Sequence, residues 1–247
     1  MDKHNVPHDD QISLGAIKTI LPNQLYAHVD TIDTLETTIA YGLLNGERLN
    51  FAVTPVDFSI ASDDNADNQQ IKIDYYKTNV TDVISEAIVP LNGNTPVSFG
   101  ECYRLVNLVN ISGNSAGTIY VAPTSETWVS GKPTNIYWVM VGQAGTSHVG
   151  VFYCPPNHRL IVKNFCFQTT LDGNNEQLLM TVHGFNPFLP NVDIQAYFPF
   201  TRGFLCNDRV YNVLTAGSHQ EYTCQRILGT GIKQFTFTAY VNLQKLN

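Results

Sequence analysis

The sequence predicts an all-β chain of two β-sandwich domains, jelly-roll-like and in tandem. Three observations lead there. Short runs of β-branched and aromatic residues recur between Gly, Pro and Asn clusters, about every 8 to 12 residues, as in sandwiches and barrels. No stretch sustains the 3.6-residue apolar period of a long helix. The chain has 247 residues, beyond the roughly 100 to 200 of an ordinary domain, so two domains are expected.

Residues 1–28 read as an arm and lead-in. The first ten are polar and acidic, with His4, Pro7, His8, Asp9 and Asp10, and are expected to order only against a neighbour or not at all. The first domain is placed at residues 29–145. It opens with Thr37 to Leu44 and Glu47 to Val53, joined by Asn45-Gly46, which predicts a hairpin with two positive φ angles at its turn. A strand ending in Asp74 follows. Ile84 to Leu91, Asn92-Gly93 and Asn94 to Phe99 predict a second hairpin; Pro90 and Pro96 beside its turn put the tip at an edge or surface.

Further strands are expected at Tyr103 to Ile111, Gly117 to Ala122 and Asn135 to Val141, with a turn at Ser112-Gly113-Asn114. The small residues of Gly142 to Thr146 mark the domain boundary. The second domain, 146–247, then carries strands at His148 to Tyr153, Leu160 to Phe167, Gln177 to His183, Val192 to Phe200, Val210 to Thr215 and Phe235 to Leu243. Turns fall at Pro155-Pro156-Asn157 and at Asp172 to Asn175. The segment Phe185 to Phe200, with Phe188, Tyr197 and Phe198 among Pro187, Pro190 and Pro199, is too apolar and too broken by proline for a regular strand pair. Part of it is expected to be buried only on assembly.

Charged residues make up only 14% of the chain, against about 25% in ordinary soluble domains, and Asn, Thr, Gln and Ser take their place. Such a surface repels copies of itself weakly. The net charge of −7 offers no basic field to a phosphate backbone, so no nucleic-acid partner is expected. The start lacks the basic and apolar regions of a secretory signal, and no apolar run reaches the roughly 20 residues of a membrane helix. Neither export by that route nor a membrane partner is expected. Five scattered cysteines, Cys102, Cys154, Cys166, Cys206 and Cys224, form no CxxC pair and read as buried reduced thiols, without a disulfide framework.

The stretch from the strand ending in Asp74, through Ile84-Ser85-Glu86, to Leu91-Asn92-Gly93-Asn94-Thr95-Pro96-Val97 resembles a group of virion-associated proteins of marine tailed phages and related viral genomes. The likeness continues through Tyr103-Arg104 and the Gly117-Thr118-Ile119 strand, and Val149 to Val162 matches the opening of that group's second half. At the level of pattern it spans residues 29 to 167. Leu105 stands where the group has Val, and the acidic loop after Ser62 has less glycine than expected. The resemblance implies a particle component near capsid or tail and no catalytic residues.

Candidate chemistry is sparse. Asp63, Asn65 and Asp67 have the D-x-N-x-D spacing that opens a calcium-binding EF-hand loop, but Asn68 and Asp74 stand where Gly and Glu are needed, and turn chemistry alone produces such loops. Seven histidines, His4, His8, His28, His148, His158, His183 and His219, show no HExxH; three could converge in a cupin-like metal site only by folding. Cys154 and His158 flank two prolines and read as a turn rather than a nucleophile and base. Gly142 to His148 lacks the Lys-Ser/Thr end of a phosphate loop. Glu86, Asp82 and Glu176 could pair as glycosidase carboxylates only if brought together in space. Trp128, Tyr137 and Trp138 around the Gly131-Lys132-Pro133 turn could form core, a sugar platform or an interface.

The expected function is therefore that of a non-enzymatic virion structural protein, a capsid decoration or minor capsid protein. It would need no cofactor and hold no catalytic or metal site. Its partners would be copies of itself, with a homotrimer preferred, and other capsid or tail proteins; its location would be the virion, after synthesis in a host cytoplasm. The alternative is a carbohydrate-binding or host-attachment protein with a surface glycan as partner. An enzyme of cupin or glycosidase type comes third.

Overall fold

A computed structural model of the chain describes residues 20–169, 176–185, 196–200, 204–207, 212–231 and 233–246. The expected arm and the core of the Pro-aromatic segment, 186–195 with Phe188, lie outside them. The class is all-β, and among the described residues no helix is long and apolar enough to cross a membrane.

The first strands are β1 (Ile20–Ile32), β2 (Thr37–Thr38), β3 (Val56–Ser62), β4 (Gln70–Tyr76), β5 (Ser85–Pro90) and β6 (Val97–Cys102). Next come β7 (Arg104–Asn110), β8 (Thr118–Pro123), β9 (Trp128–Val129), β10 (Lys132–Pro133), β11 (Trp138–Val141) and β12 (Val151–Tyr153). The last are β13 (His158–Thr169), β14 (Gln177–Phe185), β15 (Ala196–Phe200), β16 (Phe204–Asn207), β17 (Asn212–Leu214), β18 (His219–Leu228) and β19 (Lys233–Lys245).

Two sheets run in the orders β1-β19-β13-β16 and β12-β18-β14-β15, with β17 beside β13 and β2 beside β18. Rank these eight main strands by chain position. The first then pairs with the eighth, the second with the seventh, the third with the sixth and the fourth with the fifth, all antiparallel. One long antiparallel ribbon has been rolled until its two sheets face each other, which is the double Greek key of a jelly roll. Its core joins Ala27, Val29, Phe167, Phe235 and Phe237 of one sheet to Leu178, Met180, Tyr222 and Cys224 of the other.

A second sandwich is inserted between the first and second strands of that roll. Its sheets, β11-β8-β3-β6 and β5-β4-β7, enclose Phe58, Ile60, Val121, Val139, Ile71, Ile73, Leu105 and Leu108. The two domains are thus nested rather than in tandem. Residues 20–32, read as lead-in and domain start, form one strand along β19, from Ile20↔Gln244 to Ile32↔Lys233. The small-residue stretch 142–146 lies in the return connection, where Gly142–Ala144 makes one 3-10 turn.

Neither Asn-Gly site makes the expected hairpin. At Asn45-Gly46 the turn exists, with Glu47 N–H on Leu44 C=O at 2.9 Å and φ +84 at Gly46, but only Gly46 of the pair has positive φ, and the ladder partner of β2 is β18, with Thr38 N–H also reaching Glu47 C=O at 3.1 Å. At Asn92-Gly93 the chain crosses between sheets, β5 pairing with β4 and β6 with β3. Gly93 is buried rather than exposed: its N–H donates to Asp67 C=O at 2.7 Å, and its C=O accepts from Ser62 N–H at 3.0 Å. The turn with positive φ at both central residues is Ser130-Gly131, φ 48 and 79, between β9 and β10.

Two more expectations are corrected. Ala196–Phe200 is a regular strand, with Leu179↔Pro199 and Thr181↔Tyr197 in register on β14. It sits at a sheet edge, where a missing proline N–H costs no ladder bond on the open side. Cys166 is disulfide-bonded, and the cysteine opposite it in the β13–β16 register is Cys206. Antiparallel partners stand about 4.5 to 5.5 Å apart at Cα, within disulfide reach, a proximity that spacing in sequence does not reveal. Cys102, Cys154 and Cys224 are buried and free, as expected of reduced thiols.

Candidate functional site

The acidic loop is a fastening point. Asp67, 3% exposed, accepts from Ser62 Oγ at 2.6 Å, Ala116 N–H at 2.8 Å and Gly117 N–H at 3.0 Å. Asp63 accepts from Thr118 N–H at 2.7 Å, and Asp64 caps its own turn through Ala66 N–H at 2.8 Å. These carboxylates face backbone donors on the loop and on the neighbouring 116–118 turn. They do not converge on one centre as calcium ligands must.

The other candidates are likewise drawn apart. Cys154 Sγ contacts the backbone C=O of His158 at 3.3 Å, while the imidazole bonds Pro156 C=O at 2.9 Å, so thiol and ring are not paired. Burial pushes the Cys154 thiol up to about 12, which rules against a resting thiolate. Glu86 faces Lys72 at 3.4 Å, Asp82 faces Lys245 at 3.2 Å and Glu176 faces Lys233 at 2.7 Å. Among the described residues no group of three His, Cys, Asp or Glu is placed to hold a metal ion.

The structure instead assembles two polar clusters. The first is a latch, in which segment 36–48 lies against the jelly roll. Glu36 accepts from Thr223 Oγ1 at 2.5 Å and meets His183 Nε2 at 2.6 Å. Arg48 pairs with the buried Glu221 and lies 3.6 Å from Glu36, while Thr38 Oγ1 also donates to Glu221. Burial raises the Glu36 pKa, but the bonds from Thr223 and His183 and the nearby positive charge outweigh it and hold the carboxyl below its ordinary value.

The second cluster lies on the seam between the two sandwiches. Arg104 opens β7 of the inserted body yet is only 5% exposed. Its Nη1 donates to Ala52 C=O at 2.5 Å and Tyr103 C=O at 2.8 Å. Its guanidinium lies 4.0 Å from the Tyr103 ring centre, 5.7 Å from that of Tyr153 and 5.9 Å from that of Phe51. The His219 ring lies tilted against Phe51 at 4.2 Å and stacks on Phe185 at 4.9 Å. Burial, with the Arg104 charge adding to it, lowers its pKa to about 3. Tyr103-Arg104 stood out in the sequence only through the family resemblance. A lone cation opening an aliphatic strand was the physical signal.

The aromatics divide. Trp138 is 4% exposed and Trp128 is half-buried against the first core, so neither presents an open face. Two tyrosines, Tyr26 and Tyr240, are exposed at 44 and 43%, and an aliphatic run is more so: Val80, Val83, Ile84 and Ile88, at 77, 66, 50 and 55%, leading into and along the edge strand β5.

No family model matches this chain, and no curated protein matches it. Two structures of infectious bursal disease virus align weakly. For the Gx strain the TM-score is 0.20 and the identity 9%, covering 92% of this chain and 75% of that one. For the Gt strain they are 0.16 and 8%, covering 98 and 83%. At those TM-scores the likeness carries no argument about fold or function, and the marine-phage resemblance gains nothing from it.

Proposed function

We propose that the chain is a structural subunit of a virus particle, a capsid decoration or minor capsid protein that binds neighbouring shell subunits. The observation that carries the reading is the strand order: an eight-stranded jelly roll with a second sandwich in its first connection. Jelly rolls serve as viral capsid domains, lectins and cupins, so the fold alone leaves three classes open. The cupin reading loses support because four of the histidines are committed elsewhere: His28 to Asp30, His158 to Pro156, His183 to Glu36, and His219 between rings. The sugar-binding reading needed an open tryptophan face and has none in Trp128 or Trp138. The shell reading draws support from the low charge and from the aliphatic strip Val80 to Ile88, which suits contact with a copy or a shell protein.

Mass spectrometry of purified particles, paired with sedimentation of the isolated chain, tests this. The chain should be found in the particle and should sediment as a closed oligomer, for which a trimer is our expectation. Val83→Asp combined with Ile88→Asp should weaken that oligomer or its capture by shell proteins. A chain absent from the particle, monomeric at tens of micromolar and indifferent to the double substitution, defeats the reading.

A further inference from the structure

We propose that the seam between the two sandwiches is a binding site for one small monovalent anion of the halide class, held by Arg104, Tyr153 and Trp138. These three side chains line one recess with Phe51, Tyr103 and Val151, and its interior has room for about one water. Arg104 Nε, Tyr153 Oη and Trp138 Nε1 are each buried without a hydrogen-bond partner. Most buried polar groups in folded proteins are satisfied, so three lone groups around one recess call for a guest.

The chemistry of the three selects the guest. Arginine and the indole N–H can only donate, and the tyrosine hydroxyl has a proton to donate. A water could accept from the arginine and the indole and donate to the tyrosine oxygen, but it would leave one hydrogen over and the arginine's charge uncompensated. A halide accepts from all three and adds none. Charge points the same way. Among the described residues Arg104 has no carboxylate partner. Burial pushes the Tyr153 hydroxyl and the Cys102 thiol well above their ordinary values, and His219 is uncharged. A buried cation with no counter-ion is costly, and a single-atom anion, only a little larger than a water, removes that cost. Arg104 and Trp138 belong to the inserted sandwich and Tyr153 to the jelly roll, so a bound ion ties the two bodies together.

Thermal unfolding of the full chain in sodium chloride, sodium bromide and sodium gluconate at fixed ionic strength tests the site. The midpoint should rise with the logarithm of chloride or bromide in place of gluconate, by roughly 3 to 5 °C per tenfold rise in halide above its dissociation constant. Tyr153→Phe, which removes one hydroxyl and leaves the packing intact, should weaken that response severalfold. Arg104→Met should abolish it. A crystal soaked in bromide should show one anomalous peak between Arg104 and Tyr153. If the Met variant does not fold, the native titration, Tyr153→Phe and the bromide peak still decide. Equal halide responses in native chain and variants would mean a general salt effect and overturn the proposal. No response together with no bromide peak would overturn it too, leaving the recess to water.

Discussion

The inserted sandwich and the jelly roll around it both bury an apolar cluster, yet they hold their polar groups in opposite ways. In the inserted body the 62–67 loop is gripped by backbone: Gly93, Gly117 and Gly131 approach it so closely that no side chain fits between. In the jelly roll, β18 buries His219, Gln220, Glu221 and Thr223, and the outer side of the strand is closed by segment 36–48 through the short β2 ladder and a set of charged and hydroxyl side chains. The first design is intolerant of volume. The second is intolerant of lost charge partners and of acid.

The largest effect of a single substitution should come from Gly131→Ala. A Cβ there would stand 1.7 Å from Ser62 C=O, on a residue with φ +79. Strain and overpacking together should cost about 4 kcal/mol, read as a fall in the denaturation midpoint. Gly93→Ala, with Asn65 C=O at 2.3 Å, should follow closely. A small loss at both sites would mean that the loop yields and that the two bodies do not differ in this way.

Acid should act on the jelly roll. His219 has its folded pKa depressed to about 3 against 6.5 unfolded, so below pH 6.5 the unfolded chain takes up a proton that the fold refuses. The stability this neutral ring allows is therefore fully present above pH 6.5 and falls by at most about 1.4 kcal/mol per unit towards pH 3. Urea titrations across that window should show the slope in the native chain and a flatter one in His219→Phe. Equal slopes would remove histidine from the account.

Next in size is Arg48→Met, which leaves Glu221 buried beside Thr38 alone. Because Arg48 is 39% exposed, water screens the pair, and a loss of about 2 kcal/mol is expected rather than the full cost of breaking a buried one. Hydrogen exchange should show faster opening of 36–48 with β3 to β11 unchanged. The smallest effect belongs to calcium: adding or chelating it should move the midpoint by less than about 1 °C, since Asp67 already spends its carboxylate on three donors.

The same contrast explains what the sequence discloses. Strands with one wet face alternate legibly, as in β4, where Ile71 and Ile73 are buried and Lys72 and Asp74 face out, and the all-β class follows from such runs. Strand β18 escaped notice because both of its faces are covered, so buried polar residues there break the alternation. The nesting was hidden for another reason: only long-range pairing reveals it, and β1 carries no mark of β19 as its partner. At the seam the donors come from β7, β11 and β12, remote in sequence, and no spacing rule joins them. The Asn-Gly turns were visible as turns, but which strands they join depends on sheet membership, which the dipeptide does not encode.

The pairing of β1 with β19 also sets a timetable. Tyr26 lies opposite Thr238, so the first strand of the roll is made while its partner is still untranslated. At about 5 to 20 residues per second, β1 leaves the ribosome roughly 10 to 40 s before β19 does. The inserted sandwich has all of its strands by Val141 and can close during that interval. A growing chain then carries one finished body and one waiting edge, and that edge is the surface a chaperone or a neighbouring nascent chain would meet first.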